Sequence, residues 1–150
     1  MRVLLLLPLI AGLALAQKPD YSGEYKLNAE KSDFGRLTKP TAFTRKIEHK
    51  EPNIHVISTF TGPNGEVVTD VKYTTDGKPT VNVIRGTEIR GEMTWEGDGL
   101  LLTTTRTVNG KDLVTKEHWQ LFEHGKVLST LSHTAMPDGD MAILMVMDKQ

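Results

Sequence analysis

Turn signals recur at short and fairly even intervals through most of this chain, and they constrain its fold more than any other feature. Asn-Gly and Asp-Gly pairs tolerate the positive φ that tight hairpin turns require. Before its C-terminal segment the chain shows no convincing apolar stripe with a 3.6-residue period, so short strands are favoured over helices. The turn signals are Glu51-Pro52-Asn53, Gly62-Pro63-Asn64-Gly65, Asp76-Gly77, Gly86-Thr87, Asp98-Gly99, Asn109-Gly110, His124-Gly125 and Asp138-Gly139.

The segments between these turns alternate apolar with polar residues, which is the period of a half-buried strand. In one of them Ile89, Met93 and Trp95 share a face, and in another Trp119 and Leu121 do so. This alternation predicts ten strands. They are placed at 21–27, 42–49, 54–61, 66–74, 79–85, 89–96, 100–108, 112–122, 127–134 and 140–148.

Consecutive antiparallel strands joined by tight turns form an up-and-down meander, and a long meander exposes two edges unless it closes on itself. We therefore predict an all-β fold, an antiparallel barrel of about 8–10 strands. A two-sheet sandwich is the alternative, but it usually needs longer crossing connections, which are scarce here. The longest gap, 28–41, is interpreted as a loop or as a single helical turn capped by Asn28.

The N-terminus has the layout of a secretory signal peptide. A cationic start at Arg2 is followed by an apolar run over 3–15 and by the A-x-A cleavage signal that ends at Ala16. An uncleaved anchor would need about 20 apolar residues. We therefore predict a signal peptide at 1–16, cleavage after Ala16, and a secreted or periplasmic domain at 17–150 with no membrane span.

Composition excludes several classes of protein. The chain has 150 residues, no cysteine and a formal net charge of −1. Without cysteine there is no disulfide scaffold, cysteine-built zinc site, iron–sulfur site or thiol nucleophile. The near-neutral charge gives no reason to expect a nucleic-acid partner. No repeat or linker divides the chain, so we predict one domain. We also predict a monomer with no cofactor and no metal.

Several short runs resemble known families of small barrels. Residues 21–28 read YSGEYKLN and resemble the opening strand of lipocalin-like proteins, although Tyr25 stands where tryptophan is usual. WEGDG at 95–99, NGK at 109–111 and MDK at 147–149 resemble hairpins of fatty-acid-binding proteins, which are calycin relatives. The runs 28–35 and 73–78 also resemble small secreted bacterial proteins. The resemblance implies a calycin barrel that lacks the usual pair of lid helices, because 28–41 is short for them.

The histidines give no metal or catalytic motif. His49 and His55 flank one turn and could approach each other across a hairpin, but no pair has the spacing that points two imidazoles at one ion. We interpret the five histidines as solvated surface residues. There is also no G-x-S-x-G elbow for a nucleophilic serine. We predict that the protein is not an enzyme, and a hydrolase using histidine and carboxylate at the barrel mouth remains the alternative.

Three charged residues lie an even number of positions from apolar neighbours on the same predicted strand, so they have the same parity and would share the apolar face. Glu117 has the parity of Trp119. It therefore either points inward or reaches water near the barrel mouth, and the second interpretation is favoured. Arg85 and Arg106 also have inward parity. Fatty-acid-binding proteins hold a ligand carboxylate with interior arginines, and the resemblance therefore implies such a role for Arg106. The alternatives are that these arginines face water or pair with Glu117.

The C-terminal segment is rich in methionine, a flexible side chain suited to adaptable apolar surfaces. On a strand, Met141, Ile143, Met145 and Met147 would share one face. This face would line a lipophilic pocket or fill gaps in an ordinary core. A short helix over 140–147, capped by Asp138 or Asp140, is a further alternative.

Together these features favour a secreted protein that holds a small hydrophobic or amphipathic, lipid-like ligand in the barrel lumen, with one polar group fixing its orientation. The alternative is a binding or inhibitor module that acts through its outer surface and the loops 28–41 and 136–140, on a solid barrel. The predicted ligand-binding residues are Phe60, Tyr73, Trp95, Arg106, Trp119, Met145 and Met147.

Overall fold

The computed structural model describes residues 16–150, which form one ten-stranded antiparallel sheet. The predicted strands are confirmed, and each boundary lies within two residues of its predicted place. No helix that could cross a membrane occurs within 16–150. The apolar run of the predicted signal peptide lies outside the described residues. The strands are β1 (Gly23–Leu27), β2 (Ala42–Lys50), β3 (Asn53–Gly62), β4 (Gly65–Thr74), β5 (Thr80–Ile84), β6 (Thr87–Glu96), β7 (Gly99–Val108), β8 (Lys111–Phe122), β9 (Val127–Thr134) and β10 (Met141–Lys149).

The sheet curls into a nearly closed barrel, as predicted, and not into a sandwich. Its strand order is β4-β3-β2-β1-β10-β9-β8-β7-β6-β5, so β1 pairs with β10 and only β4 and β5 lack a shared ladder. The β7–β8 hairpin turn uses the conformation that its sequence favours. In the β7–β8 turn, Asn109 and Gly110 have φ of 50° and 75°, as a type I′ turn requires. The β5–β6 turn places Arg85 at a φ of 51°. Arg85 is therefore an exposed turn residue and not an inward strand residue.

The side chain of Asn82 hydrogen-bonds β5 to β4 along the line where the barrel is not closed by a ladder, which we call the β4–β5 seam. Asn82 Oδ1 accepts a hydrogen bond from the backbone N–H of Lys72 at 2.9 Å. Asn82 Nδ2 donates to the carbonyl oxygen of Lys72 at 3.0 Å. The amide side chain thus reproduces the two bonds that a paired backbone residue would make.

Replacing Asn82 with alanine is expected to lower the free energy of unfolding by about 1–2 kcal/mol, since two hydrogen bonds are lost near the surface. Amide hydrogen exchange at Lys72 should accelerate, because its N–H loses its acceptor. Urea unfolding and exchange measured by NMR check both effects. Asn64→Ala, in the exposed β3–β4 turn, is the control. Unchanged exchange at Lys72 in the Asn82 variant would contradict this account of the seam.

Aromatic side chains close one end of the barrel, which we call the closed end. Tyr21 is fully buried there, with its ring centroid 6.1 Å from that of Trp95 and 6.2 Å from that of Trp119. Its hydroxyl lies 3.0 Å from the Asp98 carbonyl oxygen and 3.2 Å from that of Trp119. Tyr25 Oη donates to the Tyr21 carbonyl oxygen at 2.9 Å. These contacts hold the segment before β1 across the strand ends.

The pKa values of all three tyrosines of the chain are shifted in the same direction. Burial raises the pKa of Tyr25 and of Tyr73 to about 12, and it also raises the pKa of Tyr21 above the usual value of 10. The folded state therefore holds these protons more tightly than the unfolded state does. The contribution of the protonated tyrosines to the stability of the fold is fully present below about pH 10 and is lost as pH rises through about 12.

We therefore expect the native protein at about pH 11 to show little of the ultraviolet absorbance of tyrosinate, whereas the protein in urea shows most of it. A spectrophotometric pH titration in both solvents checks this. Superimposable curves would show that the tyrosines are not protected by the fold.

Backbone pairing decides between the alternatives predicted for residues 28–41 and for the methionine-rich C-terminal segment. Residues 28–41 form a loop without a helix, and Asp33 and Leu144 exchange two backbone hydrogen bonds of 2.8 Å. The methionine-rich segment is the strand β10, so the helical alternative is wrong. Met147 is fully buried, and Met145 packs against the core from a partly buried position.

Candidate functional site

The barrel interior is incompletely filled. A cavity of about 200 Å³ lies between the closed end and the opposite end. Its walls are mostly apolar or hydroxyl-bearing side chains from inward positions of β2–β8, and the only charged residues among them are Arg45 and Glu117. The other wall residues are Val56, Ser58, Thr69, Val71, Tyr73, Ile84, Ile89, Leu102, Thr104 and Trp119.

Arg45 and Glu117 form an ion pair across the barrel interior. Arg45 Nη1 lies 3.4 Å from Glu117 Oε1, and their side chains are only 10% and 19% exposed. Arg45 Nε donates to Ser58 Oγ at 3.2 Å. The Trp119 indole N–H donates to the same Glu117 oxygen that faces Arg45. The pair is therefore both buried and hydrogen-bonded, which is the condition under which interior charges are tolerated.

Aromatic rings hold the guanidinium in place. The Arg45 Cζ atom lies 5.4 Å from the centroid of the Phe43 ring and 5.2 Å from that of Trp119. Both distances suit a cation–π contact. Strand alternation produces this arrangement, because Phe43, Arg45 and Ile47 all occupy inward positions of β2. Arg45 was not among the predicted site residues. The apolar residues on either side of it at this period were the available signal.

Glu117 points into the barrel, as its parity with Trp119 indicated. The favoured interpretation, a carboxylate reaching water at the mouth, is wrong, because Glu117 lines the cavity and pairs with a buried arginine. The pairing alternative was correct in kind, but the partner is Arg45 and neither Arg85 nor Arg106.

Tyr73 forms the wall of the cavity beside this pair. Its pKa is raised to about 12, chiefly by burial and secondarily by the negative charge of Glu117, while the positive charge of Arg45 opposes the shift. Its ring lies against the backbone of Gly91 so closely that a Cβ at that position would collide with it. Glycine at position 91 thus makes room for the aromatic wall.

The structure places the seven predicted ligand-binding residues in different surroundings. Tyr73 and Trp119 line the cavity. Trp95 packs beside Tyr21 at the closed end. Phe60 is 37% exposed and Arg106 is also exposed, and both lie on inward faces near the opposite end of the barrel. Met145 and Met147 belong to the β10 side of the core. Ligand contact by any of the seven stays a prediction.

The histidines do not form a joint site. His49 aligns with Ile54, whereas His55 aligns with Glu48, so the two imidazoles lie on opposite faces of the hairpin. The expectation that all five are solvated is wrong for His49, whose side chain is only 3% exposed. Within residues 16–150, no three potential ligand side chains are grouped closely enough to hold a metal ion.

Both ring nitrogens of each of these two histidines already have partners. His49 Nδ1 accepts from the Tyr21 N–H at 3.1 Å, and its Nε2 lies 2.7 Å from Glu51 Oε1. His55 Nε2 lies 2.7 Å from Asp70, and its Nδ1 lies 3.5 Å from Glu48. A general base needs a nitrogen within reach of a substrate proton. These pairings therefore favour structural roles.

A larger depression of about 680 Å³ lies on the hairpins near the closed end. Glu48, His55 and Lys72 are among the residues that border it. These polar side chains are at least partly exposed. Buried apolar side chains of Ile47, Ile54 and Tyr73 also line it, but the depression opens to solvent beside these charged groups. The interior cavity is bounded by inward-facing side chains of seven strands, so it is the better candidate for a ligand site.

Comparison with known proteins identifies the fold. No protein-family model matches the sequence, and no curated protein matches it significantly. The structure is similar to that of a secretory abundant heat soluble protein from Ramazzottius varieornatus, with a TM-score of 0.61, 14% identity, and coverage of 87% of this chain and 95% of that one. It is equally similar to zebrafish ileal bile acid-binding protein in complex with cholic acid, with a TM-score of 0.61, 14% identity, and coverage of 87% and 98%.

Fatty-acid-binding protein 1 of Echinococcus granulosus has the same fold, with a TM-score of 0.58, 15% identity, and coverage of 86% of this chain and 96% of that one. The chain therefore has a calycin-like small β-barrel fold, as its short sequence runs indicated. Two of these three neighbours are named as binding proteins and none of the three as an enzyme.

Proposed function

We propose that this protein binds a small amphipathic, lipid-like molecule inside its barrel and catalyses no reaction. The observation that carries the proposal is the unfilled cavity, which is mostly apolar and contains one buried polar pair. Ligand sites commonly combine an apolar wall with a few polar groups that fix orientation. The bile-acid-binding and fatty-acid-binding neighbours with this fold support the same assignment.

The cavity walls suggest how a ligand would lie. Tyr73, Trp119 and Leu102 would contact its apolar body, and Arg45 with Glu117 would meet its polar group. The cavity volume of about 200 Å³ is below the roughly 300–1,000 Å³ of typical ligand pockets. A compact ligand would fit entirely, whereas a longer chain would extend toward Phe60 and Arg106 at the opposite end.

The proposed setting is outside the cytoplasm. The sequence of residues 1–16 supports export followed by cleavage after Ala16. The segment from Gln17 packs with the domain, since Lys18 Nζ donates to the Gly97 carbonyl oxygen at 2.9 Å and lies 5.0 Å from the centroid of the Trp95 ring. Sequencing the N-terminus of the exported protein tests this part of the proposal.

Native mass spectrometry of residues 17–150, purified without refolding, tests ligand binding. We expect an additional mass that solvent extraction removes, and uptake of medium-chain amphiphiles by the extracted protein. Val71→Phe adds a ring at the cavity wall and should abolish most of this uptake. Val68→Phe, on the same strand but 56% exposed, is the matched control and should bind normally. Absence of both the extra mass and the uptake would refute the proposal.

A surface-acting module is the second candidate. β5 exposes Val81 and Val83, each 63% accessible, on the outer face of the barrel. Exposed apolar residues that adjoin one another on a strand can form part of a protein contact. This candidate predicts that Val81→Ser with Val83→Ser leaves ligand uptake unchanged but weakens association with a partner from the same compartment, measured by co-purification.

A further inference from the structure

The interior ion pair constrains the polar group of any bound molecule. Arg45 is the arginine of the cavity wall, and Glu117 already neutralises it from 3.4 Å away. The two formal charges cancel, so the site has no net positive charge for an anion. This differs from the expectation raised by the resemblance to fatty-acid-binding proteins, in which an interior arginine receives a carboxylate.

The hydrogen bonds of the pair leave N–H donors on Arg45 and an acceptor oxygen on Glu117 available. A guanidinium has five N–H donors, and Arg45 uses its Nε toward Ser58 and its Nη1 toward Glu117. Arg45 Nη1 and the Trp119 indole both meet Glu117 at Oε1, which leaves Oε2 for another donor. A group that both accepts and donates, such as an alcohol or a primary amide, fits this combination.

A carboxylate fits the same position poorly. It could accept from Arg45, but it would bring a second negative charge close to Glu117 in a poorly hydrated interior. Two neighbouring carboxylates that share one cation resist simultaneous ionisation, so one of them must take up a proton. Near neutral pH this cost opposes binding of an ionised fatty acid, and it is absent for a neutral head group of the same chain length.

We propose that the cavity selects amphiphiles with a neutral hydrogen-bonding head, such as fatty alcohols or primary fatty amides, over fatty carboxylates of equal length. The inference rests on the proposed function, because it concerns the head group of a ligand in the same cavity. Glu117 determines this specificity because it forms an ion pair with Arg45, which a ligand carboxylate would otherwise contact.

Competition with a neutral fluorescent dye, N-phenyl-1-naphthylamine, measures the selectivity. The ligands are 1-decanol, decanamide and decanoate at about pH 8, where decanoic acid is ionised. We expect wild-type protein to bind decanol and decanamide at least about tenfold more tightly than decanoate. Glu117→Gln keeps the side-chain volume and an acceptor for Trp119, and it should reduce or reverse this ratio by about tenfold.

Two further variants complete the test. Glu96→Gln makes the same chemical change on the outer face, where Glu96 pairs with exposed His118, and should leave the ratio unchanged. Arg45→Gln with Glu117→Gln removes both charges and should keep the preference for neutral heads. This double variant supplies a folded comparison if Glu117→Gln alone is too unstable to assay.

The outcomes separate the two proposals. If the wild-type protein binds none of the three ligands and also carries no extractable mass, the proposed function fails and the head-group inference fails with it. If it binds all three but prefers decanoate or does not discriminate, the proposed function stands and the inference is overturned. A neutral preference that Glu117→Gln leaves intact would equally overturn the role assigned to Glu117.

Discussion

Replacing Tyr21 with alanine is expected to lower the free energy of unfolding by about 3–5 kcal/mol, the range for removing a large buried aromatic side chain. The ring is fully buried against Trp95 and Trp119, so its removal leaves a cavity in the core. The single hydroxyl proton that the carbonyl oxygens of Asp98 and Trp119 share would also be lost. Urea unfolding followed by tryptophan fluorescence measures the change.

Tyr21→Phe separates packing from hydrogen bonding. It keeps the ring but removes the hydroxyl, so the expected loss is only about 1–2 kcal/mol. Thr94→Ala, at an exposed outward position of β6, is a surface control and should change stability by less than about 1 kcal/mol. If Tyr21→Ala costs no more than Tyr21→Phe, the ring does not stabilise the closed end.

Replacing Arg45 with methionine is expected to cost about 3–5 kcal/mol, because it leaves Glu117 charged and unpaired inside the barrel. The two side chains are buried enough for this estimate to apply, since they are 10% and 19% exposed. Urea unfolding near neutral pH measures the loss.

Adding Glu117→Gln to Arg45→Met should restore most of the lost stability. The glutamine keeps an acceptor for the Trp119 indole but carries no charge, so no unpaired ion remains in the interior. We expect the double variant to lie within about 1.5 kcal/mol of wild type. A loss equal to the sum of the two single losses would show that the residues do not interact.

The strand pattern was predictable from sequence because two independent signals agreed. Glycine-containing turns marked the ends of most strands, and the alternation of apolar residues marked their faces. The β8 segment also indicated that Glu117 points inward beside Trp119. What the pattern could not show was which end of the barrel is filled. That depends on Tyr21, which precedes β1 and packs against residues from distant strands.

Arg45 was missed for a physical reason. It stands in a run with Lys46, Glu48 and Lys50, which looks like a solvated strand surface. Only the pairing across the barrel shows that its charge is matched, because Glu117 is 72 residues away along the chain. Conversely, Arg106 has inward parity, but its position close to the β7–β8 turn leaves it exposed. Parity predicts the face of a strand but not the depth within the barrel.

The pairing of β1 with β10 has a consequence for the folding kinetics. Every other ladder joins strands that are neighbours in sequence, whereas this one aligns Tyr25 with Lys149. The hairpins of β1–β4 and of β5–β10 can form locally, but the β1–β10 ladder that joins the two halves requires closure of a loop that spans almost the whole domain. This long-range closure predicts slow folding, on the order of milliseconds to seconds. During synthesis, the barrel cannot be completed until β10 has left the ribosome.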